Sequence, residues 1–395
     1  MKQATDRENA PEALERAMAV VDLLANEVGP RPPTGRGERL AAQLLCEELG
    51  RAGLDGRVEE FAGLSTFGLP FGLIQGAALT PSLLPGELRR TRIGVAAAAA
   101  AALVGEGSLR APLLSRLLSR SPSGNVVARI EPSGEVERTV CLMCHMDTSR
   151  SGLMFNPRFV HLLGRWIALQ SITGVGLAVA EPLLGRSKRG RAALAALRAV
   201  PAAGLALLLE RELRGAEVAG ANDNASGCAV ATVLAGEAAA RPLAGTRVVL
   251  LVSGCEESGT LGSQAFLDRH DTEGWLFLNF DNVGGDCSLR FLRREGVIAK
   301  WDADPGLVAA AQGVADRRPE LRMAPEDDPA GLTYDTSPVH ASGGRALTLS
   351  AQDGYIPDLH WPTDTYENVH PDAIWRALEA GRDLLEAIDA GGADE

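Results

Sequence analysis

A chain of 395 residues has room for one large α/β domain or two smaller ones. Its 46% apolar and 23% charged residues supply a globular core. A formal net charge of -12 repels a phosphate backbone, so nucleic-acid binding is excluded as a working function.

The opening MKQATDRENAPEALER is polar and lacks an apolar leader region, so no signal peptide is expected. Residues 9–28 then carry Ala, Val and Leu at helical spacing. GPRPPTGRG reads as a loop, and GERLAAQLLCEELGRAGL as a second helix stopped by glycine. RVEEF is a short strand. Residues 65–105 break this rhythm with two apolar stretches around a basic turn holding Arg89, Arg90 and Arg92. A similar block at 159–211 is centred on Arg186, Lys188, Arg189 and Arg191. Each block is predicted to be a helical hairpin with an arginine-rich tip. Between and after them lie the predicted strands NVVARIEP, RTVCLMCHM, TRVVLLVSG, GWLFLNFDNV and RALTLSA. The helices NASGCAVATVLAGEAAA, LGSQAFLDRH and DAIWRALEAGRDLLEAID alternate with them. The pattern implies an α/β fold, a mixed and mostly parallel sheet flanked by helices. Residues 1–64, 106–158 and 212–395 would form the domain, interrupted by two apolar helical-hairpin insertions.

The six cysteines, Cys46, Cys141, Cys144, Cys228, Cys255 and Cys287, sit mostly in apolar runs and show no disulfide framework, which suggests a reducing compartment. Cys141 and Cys144 form a C-x-x-C, but no second pair follows at zinc-site spacing, so they read as buried strand residues. The hairpins admit two readings. A spanning helix needs about 20 apolar residues. Stretches 167–185 and 193–210 approach this, interrupted by Glu181 and Arg198. Their Gly and Ala content suits close packing in lipid, and basic tips suit headgroups. Membrane contact through residues 65–105 and 159–211 stands against a helical lid or a dimer interface on a cytoplasmic enzyme.

Catalytic groups in open α/β sheets gather at the carboxyl ends of strands. Five such loops carry metal-ligating side chains: His145-Met146-Asp147, Asn222-Asp223-Asn224, Glu256-Glu257, Asp281 and His360. Each alone has an ordinary explanation as a turn, a cap or a solvated face. Their joint occurrence in a chain with only six histidines does not. A two-metal site needs a bridging carboxylate, about one His and one carboxylate for each ion, and a free carboxylate as general base.

The series H-x-D, G-A-N-D-N-A-S-G, E-E-S-G-T-L-G-S, F-D and H-W-P-T-D-T resembles the M28 family of zinc aminopeptidases, as does the opening P-R-P-P-T-G-R-G-E-R. The resemblance implies a zinc-peptidase, phosphorylase/hydrolase-like fold and two Zn²⁺ per chain. It implies His145, Asp223, Glu257, Asp281 and His360 as metal ligands, with Asp223 bridging. It implies Glu256 as the catalytic base and Asp147 as the carboxylate behind His145. The substrate would be a peptide and the activity that of an aminopeptidase. A related zinc amide hydrolase or carboxypeptidase, a single-zinc glutaminyl cyclase and a non-catalytic membrane scaffold of the same fold are the alternatives. Asp335 and His340 stand apart in TYDTSPVHASG, where the family often has an adjacent Asp-His pair, and the linker from His145 to Asp223 is unusually long. Asp335 and Tyr355 are candidates to recognise a substrate amine.

Overall fold

The computed structural model describes residues 10–327 and 331–393. The polar stretch 1–9, which carries most of the expectation of no leader, lies outside the described residues. The strands are β1 (Arg57–Gly63), β2 (Ser121–Ile130), β3 (Arg138–His145), β4 (Thr246–Ser253), β5 (Leu276–Phe280), β6 (Leu289–Glu295), β7 (Trp301–Asp302), β8 (Met323–Asp327) and β9 (Arg345–Ala351). They form one sheet in the order β1-β2-β4-β3-β5-β9-β6-β7, with β8 also paired to β6. The central β4, β3, β5 and β9 run parallel. These four are the continuous apolar runs, buried almost throughout, as expected of parallel strands covered on both faces. The flanking β1, β2 and β6 pair antiparallel.

Helices α1 (Ala10–Asp22), α2 (Arg36–Arg51), α9 (Gly227–Ala240), α11 (Pro305–Arg317) and α13 (Pro371–Asp389) cover one face and close the larger core. The other face is covered by α10 (Leu261–Arg269) and α12 (Thr336–Ala341) through Phe266 and Val339. Cys141 and Cys144 lie on β3, buried, with Cys141 in the smaller core and Cys144 in the larger. They point to opposite faces of the sheet and cannot share a ligand. The expected strands are all present. β6, β7 and β8 were not foreseen, because LRFLRRE is half arginine and glutamate and MAPED contains Pro325.

The remaining helices stack beside the sheet: α3 (Gly68–Leu79), α4 (Arg89–Gly107), α5 (Leu113–Leu118), α6 (Leu163–Leu184), α7 (Lys188–Leu197) and α8 (Ala199–Arg214). The main packing runs across the two insertions, α4 on α6 and α3 on α8. The second block is not a simple hairpin. The Ser187 hydroxyl accepts from the Gly190 N–H at 2.9 Å and starts α7 as a separate helix at the tip. At 1.5 Å per residue, the 19-residue α4 and 22-residue α6 are about 28 and 33 Å long.

The polarity of this bundle is reversed. Inside it, Glu181 Oε1 meets Arg92 at 2.7 Å and Glu181 Oε2 meets Arg198 at 2.6 Å, all three side chains at most 5% exposed. The Arg198 Nε also donates to the Ala78 carbonyl at 3.2 Å. Outside it, Leu69, Leu73, Ile172, Val179, Leu183 and Leu213 face solvent, with Ile172 72% and Leu213 80% exposed. The residues that interrupt the two apolar stretches in sequence are therefore paired with each other and with the other hairpin.

Candidate metal centre

The parallel strands deliver their ends to one place. His145 is the last residue of β3, the Glu256-Glu257 turn follows β4, and Asp281 follows β5. Asp223 sits in the turn Ala221–Ser226 before α9, and His360 in the loop after β9. His145 Nε2 lies 3.2 Å from Asp223 Oδ1 and 3.7 Å from Asp281 Oδ2. His360 Nε2 lies 3.1 Å from both Asp223 Oδ2 and Glu257 Oε1. Two donor sets result, His145–Asp223–Asp281 and Asp223–Glu257–His360, each with its ligating atoms within 4.8 Å of one another. Asp223 belongs to both and turns one carboxylate oxygen to each imidazole.

The donor set fits divalent cations. Buried Glu257 Oε1 and His360 Nδ1 have no hydrogen-bond partner. Burial lifts the Asp281 carboxyl to about 7. Burial works against a charged His360, yet Glu257 and Asp223 overcome it and hold the imidazole up at about 9. Glu256 is pushed well above the usual range by burial and by Asp335 and Glu257, against the pull of His145. A buried cluster that draws in protons in this way is short of positive charge, and cations coordinated by imidazole and carboxylate supply it.

The turns that hold these groups are tied from behind. His145 Nδ1 donates to the Asp147 carbonyl at 3.1 Å, which leaves the Nε2 lone pair facing Asp223. The Asp147 carboxylate lies farther from that ring nitrogen, at 3.8 Å. It instead accepts the N–H groups of Glu256 at 3.1 Å and Glu257 at 3.0 Å. Asp147 thus orients His145 through its backbone and the glutamate pair through its side chain. Glu38 accepts the Cys255 N–H at 2.9 Å, the Thr34 N–H at 2.8 Å and the Ser123 hydroxyl at 3.0 Å. Asp364 accepts the N–H groups of Asn222 at 2.6 Å and Asp223 at 3.1 Å, with burial lifting its carboxyl to about 7. Cys255, Asn282 and His360 adopt positive φ of 54°, 55° and 49°, strained backbone beside three of the ligand loops.

Arg31 fastens the whole. It is fully buried, and its guanidinium donates to the carbonyls of Leu24, Gly29, Met146, Ala219 and Gly220 at 2.7–2.9 Å. It thereby joins the turn that follows α1 to the loops of His145 and Asp223. Asp335 is also buried and accepts the hydroxyls of Ser253 and Ser263, so it supports β4 and does not reach the cavity. Tyr355 is 45% exposed and lies off the cavity wall, which Tyr334 lines. His340 stays separate, 3.9 Å from Glu295. No signal in the sequence marks Glu38, Arg31 or Asp364 as site residues beyond their place in the P-R-P-P and H-W-P-T-D-T segments and nearby α2.

Residues 202–385 match the sequence model of peptidase family M28. The matched segment is just under half of the chain. It carries Asp223, Glu256, Glu257, Asp281 and His360, while His145 and Asp147 precede it. No curated protein matches the chain. The zinc aminopeptidase BSAP from Bacillus subtilis superposes with a TM-score of 0.57 at 13% identity, over 95% of this chain and 95% of that one. A glutaminyl cyclase from Porphyromonas gingivalis gives 0.56 at 14%, over 95% and 98%. A leucine aminopeptidase precursor from Bacteroides thetaiotaomicron gives 0.54 at 13%, over 94% and 96%. At these identities the likeness is one of fold, and it covers nearly the whole chain.

Proposed function

We propose that the chain is a two-zinc metallopeptidase that removes N-terminal residues. The observation that carries this reading is the pair of donor sets sharing Asp223. His145 and Asp281 would hold one ion and Glu257 and His360 the other, with Asp223 between them. Zinc bound there supplies Lewis-acid polarisation of the scissile carbonyl and acidifies the attacking water. The rest falls to the chain. Glu256, turned toward the cluster by Asp147, accepts the proton of the attacking water on its carboxylate. It then passes that proton to the leaving amine. Phe155 stacks edge-on against His360, 4.3 Å between ring centres, and keeps bulk water from that side of the site. The fold neighbours include both aminopeptidases and glutaminyl cyclases, and the five-ligand set favours the former.

Two measurements test this. Purified protein should hold about two zinc ions per chain. N-acetylating a good peptide substrate should abolish turnover. One zinc per chain with cyclisation of N-terminal glutaminyl peptides would replace the reading, and equal rates on free and blocked peptides would move it to an amide deacylase.

We further propose that the bundle sits in a lipid bilayer. Two helical stretches, Val160–Leu184 and Lys188–Arg214, are long and apolar enough to cross one, and only 17% and 28% of their apolar windows are buried. Buried ion pairs with apolar outer faces are the arrangement lipid requires, because a charge there must find its partner inside the protein. The exposed basic residues Arg186, Lys188 and Arg189 at the tip suit a headgroup layer. The intact chain should sediment with membranes, resist high-salt extraction and float with phospholipid vesicles after detergent removal. Recovery as a detergent-free dimer with this face protected from solvent would overturn the bilayer placement.

A further inference from the structure

The metal centre opens into a cavity of about 240 Å³ that does not end at the sheet. From His145, Asp223, Glu256 and His360 it continues between the inserted helices, where Phe71, Gln75, Leu103, Gln170, Gly204 and Leu208 form its wall. Gln75, Leu103, Gly204 and Leu208 are buried there, so the extension is bundle interior and not surface groove. Gln75 and Gln170 lie seven residues from the first residues of α3 and α6, and Gly204 ten residues from the last residue of α8, so the cavity penetrates at least roughly 10 Å of bundle.

Its chemistry is apolar with few fixed polar points. Gln75 Nε2 donates to Gln170 Oε1 at 3.3 Å, and Gln170 Nε2 donates to the Val200 carbonyl at 2.9 Å. The amides therefore bind each other and the bundle backbone. Glu106, the carboxylate on this wall outside the metal cluster, accepts the N–H groups of Leu114 and Ser115 and the Ser115 hydroxyl. Both its oxygens are occupied, so the extension offers no charged partner to a substrate. Gly204 leaves the bore open: a Cβ there would come within 2.6 Å of Gln170 Nε2.

From this we infer that the enzyme acts on amphiphilic amides, with the scissile bond at the metal centre and a long, uncharged apolar chain lying in the bundle. The inference rests on the hydrolase reading above and adds the substrate class. A mostly apolar slot of this depth has little use for a short or polar side chain. The same helices that present apolar faces outward would admit the chain of a lipid-borne substrate sideways into the slot.

The test uses full-length, zinc-loaded protein in detergent and a series of arylamides of straight-chain 2-amino acids, from alanine through 2-aminooctanoate to 2-aminododecanoate, below their aggregation concentrations. Specificity (kcat/KM) should rise roughly fourfold per methylene until the slot is full. The Gly204→Leu variant should move the preferred length to a shorter chain. A second reading avoids turnover altogether. Binding of the same series to Glu256→Gln protein, followed by calorimetry, should tighten by a similar factor per methylene with a negative heat-capacity change. Should Gly204→Leu fail to fold, Leu103→Trp on the same cavity wall makes the same shift. Hydrolysis with no length dependence in rate or binding would overturn the inference and leave the peptidase reading intact. Length-dependent binding without any turnover would sink the peptidase reading and leave the slot in place.

Discussion

Glu256→Gln should lower turnover by roughly 10²–10⁴-fold while the protein keeps its full zinc content. Its neighbour should behave oppositely. Glu257→Gln should weaken one zinc and lose activity that partly returns with excess metal. The two residues share a turn and a chemistry but not a geometry. Glu257 Oε1 lies 3.1 Å from His360 Nε2 with no hydrogen bond of its own, the position of a ligand. Glu256 belongs to neither donor set but lines the same cavity. Asp147 holds both backbone N–H groups, so either substitution leaves the turn in place and isolates the side chain. Metal content and turnover measured side by side on the two variants decide it. Zinc loss from Glu256→Gln with both ions retained in Glu257→Gln would exchange the roles.

Arg31→Met should destabilise the protein by about 3–5 kcal/mol, the size expected when several buried carbonyls lose their donors at once. Methionine has a similar length and fills much of the same space. It leaves five buried carbonyls, those of Leu24, Gly29, Met146, Ala219 and Gly220, without donors. The Coulombic neighbours Asp147, Asp223 and Asp364 lose their nearby cation as well. The urea midpoint should fall with little change in slope, and zinc content should fall with it, since two of the orphaned carbonyls belong to the ligand loops. Arg31→Lys should recover only part of the loss, because an ammonium cannot span the same fork of acceptors. A midpoint within experimental scatter of the native protein would show that the loops are held by other contacts.

Of the two donor sets, His145, Glu257 and Asp281 were legible in the sequence because each ends or follows an apolar strand, while Asp223 and His360, which the structure places away from a strand end, were legible through the motifs around them. The residues that hold them were not. Glu38 reaches Cys255 across 217 positions and Arg31 reaches Met146 across 115, and each acts on backbone groups that carry no compositional mark. Asp147 was visible as a carboxylate near His145, yet its side chain serves the glutamate turn. Glu181 and Arg198 looked like interruptions of spanning helices because Arg92, which completes their pairing, lies some ninety residues upstream in the other hairpin. The strands β6 to β8 escaped because exposed Arg293 and Arg294 beside buried Glu295 hide the alternation in β6, and β7 and β8 are short.

The pairing of α4 with α6 and of α3 with α8 also sets a schedule for the ribosome. About a hundred residues separate the end of the first hairpin from the end of the second. At roughly 5–20 residues per second, the first hairpin waits roughly 5–20 s for its partner helices. Until Glu181 is made Arg92 lacks its buried partner, and through the whole interval α3 and α4 can close only against each other. A nascent chain with this order of parts needs a holding partner at the exit tunnel, or an early hand-over to the bilayer, before its catalytic sheet has even been completed.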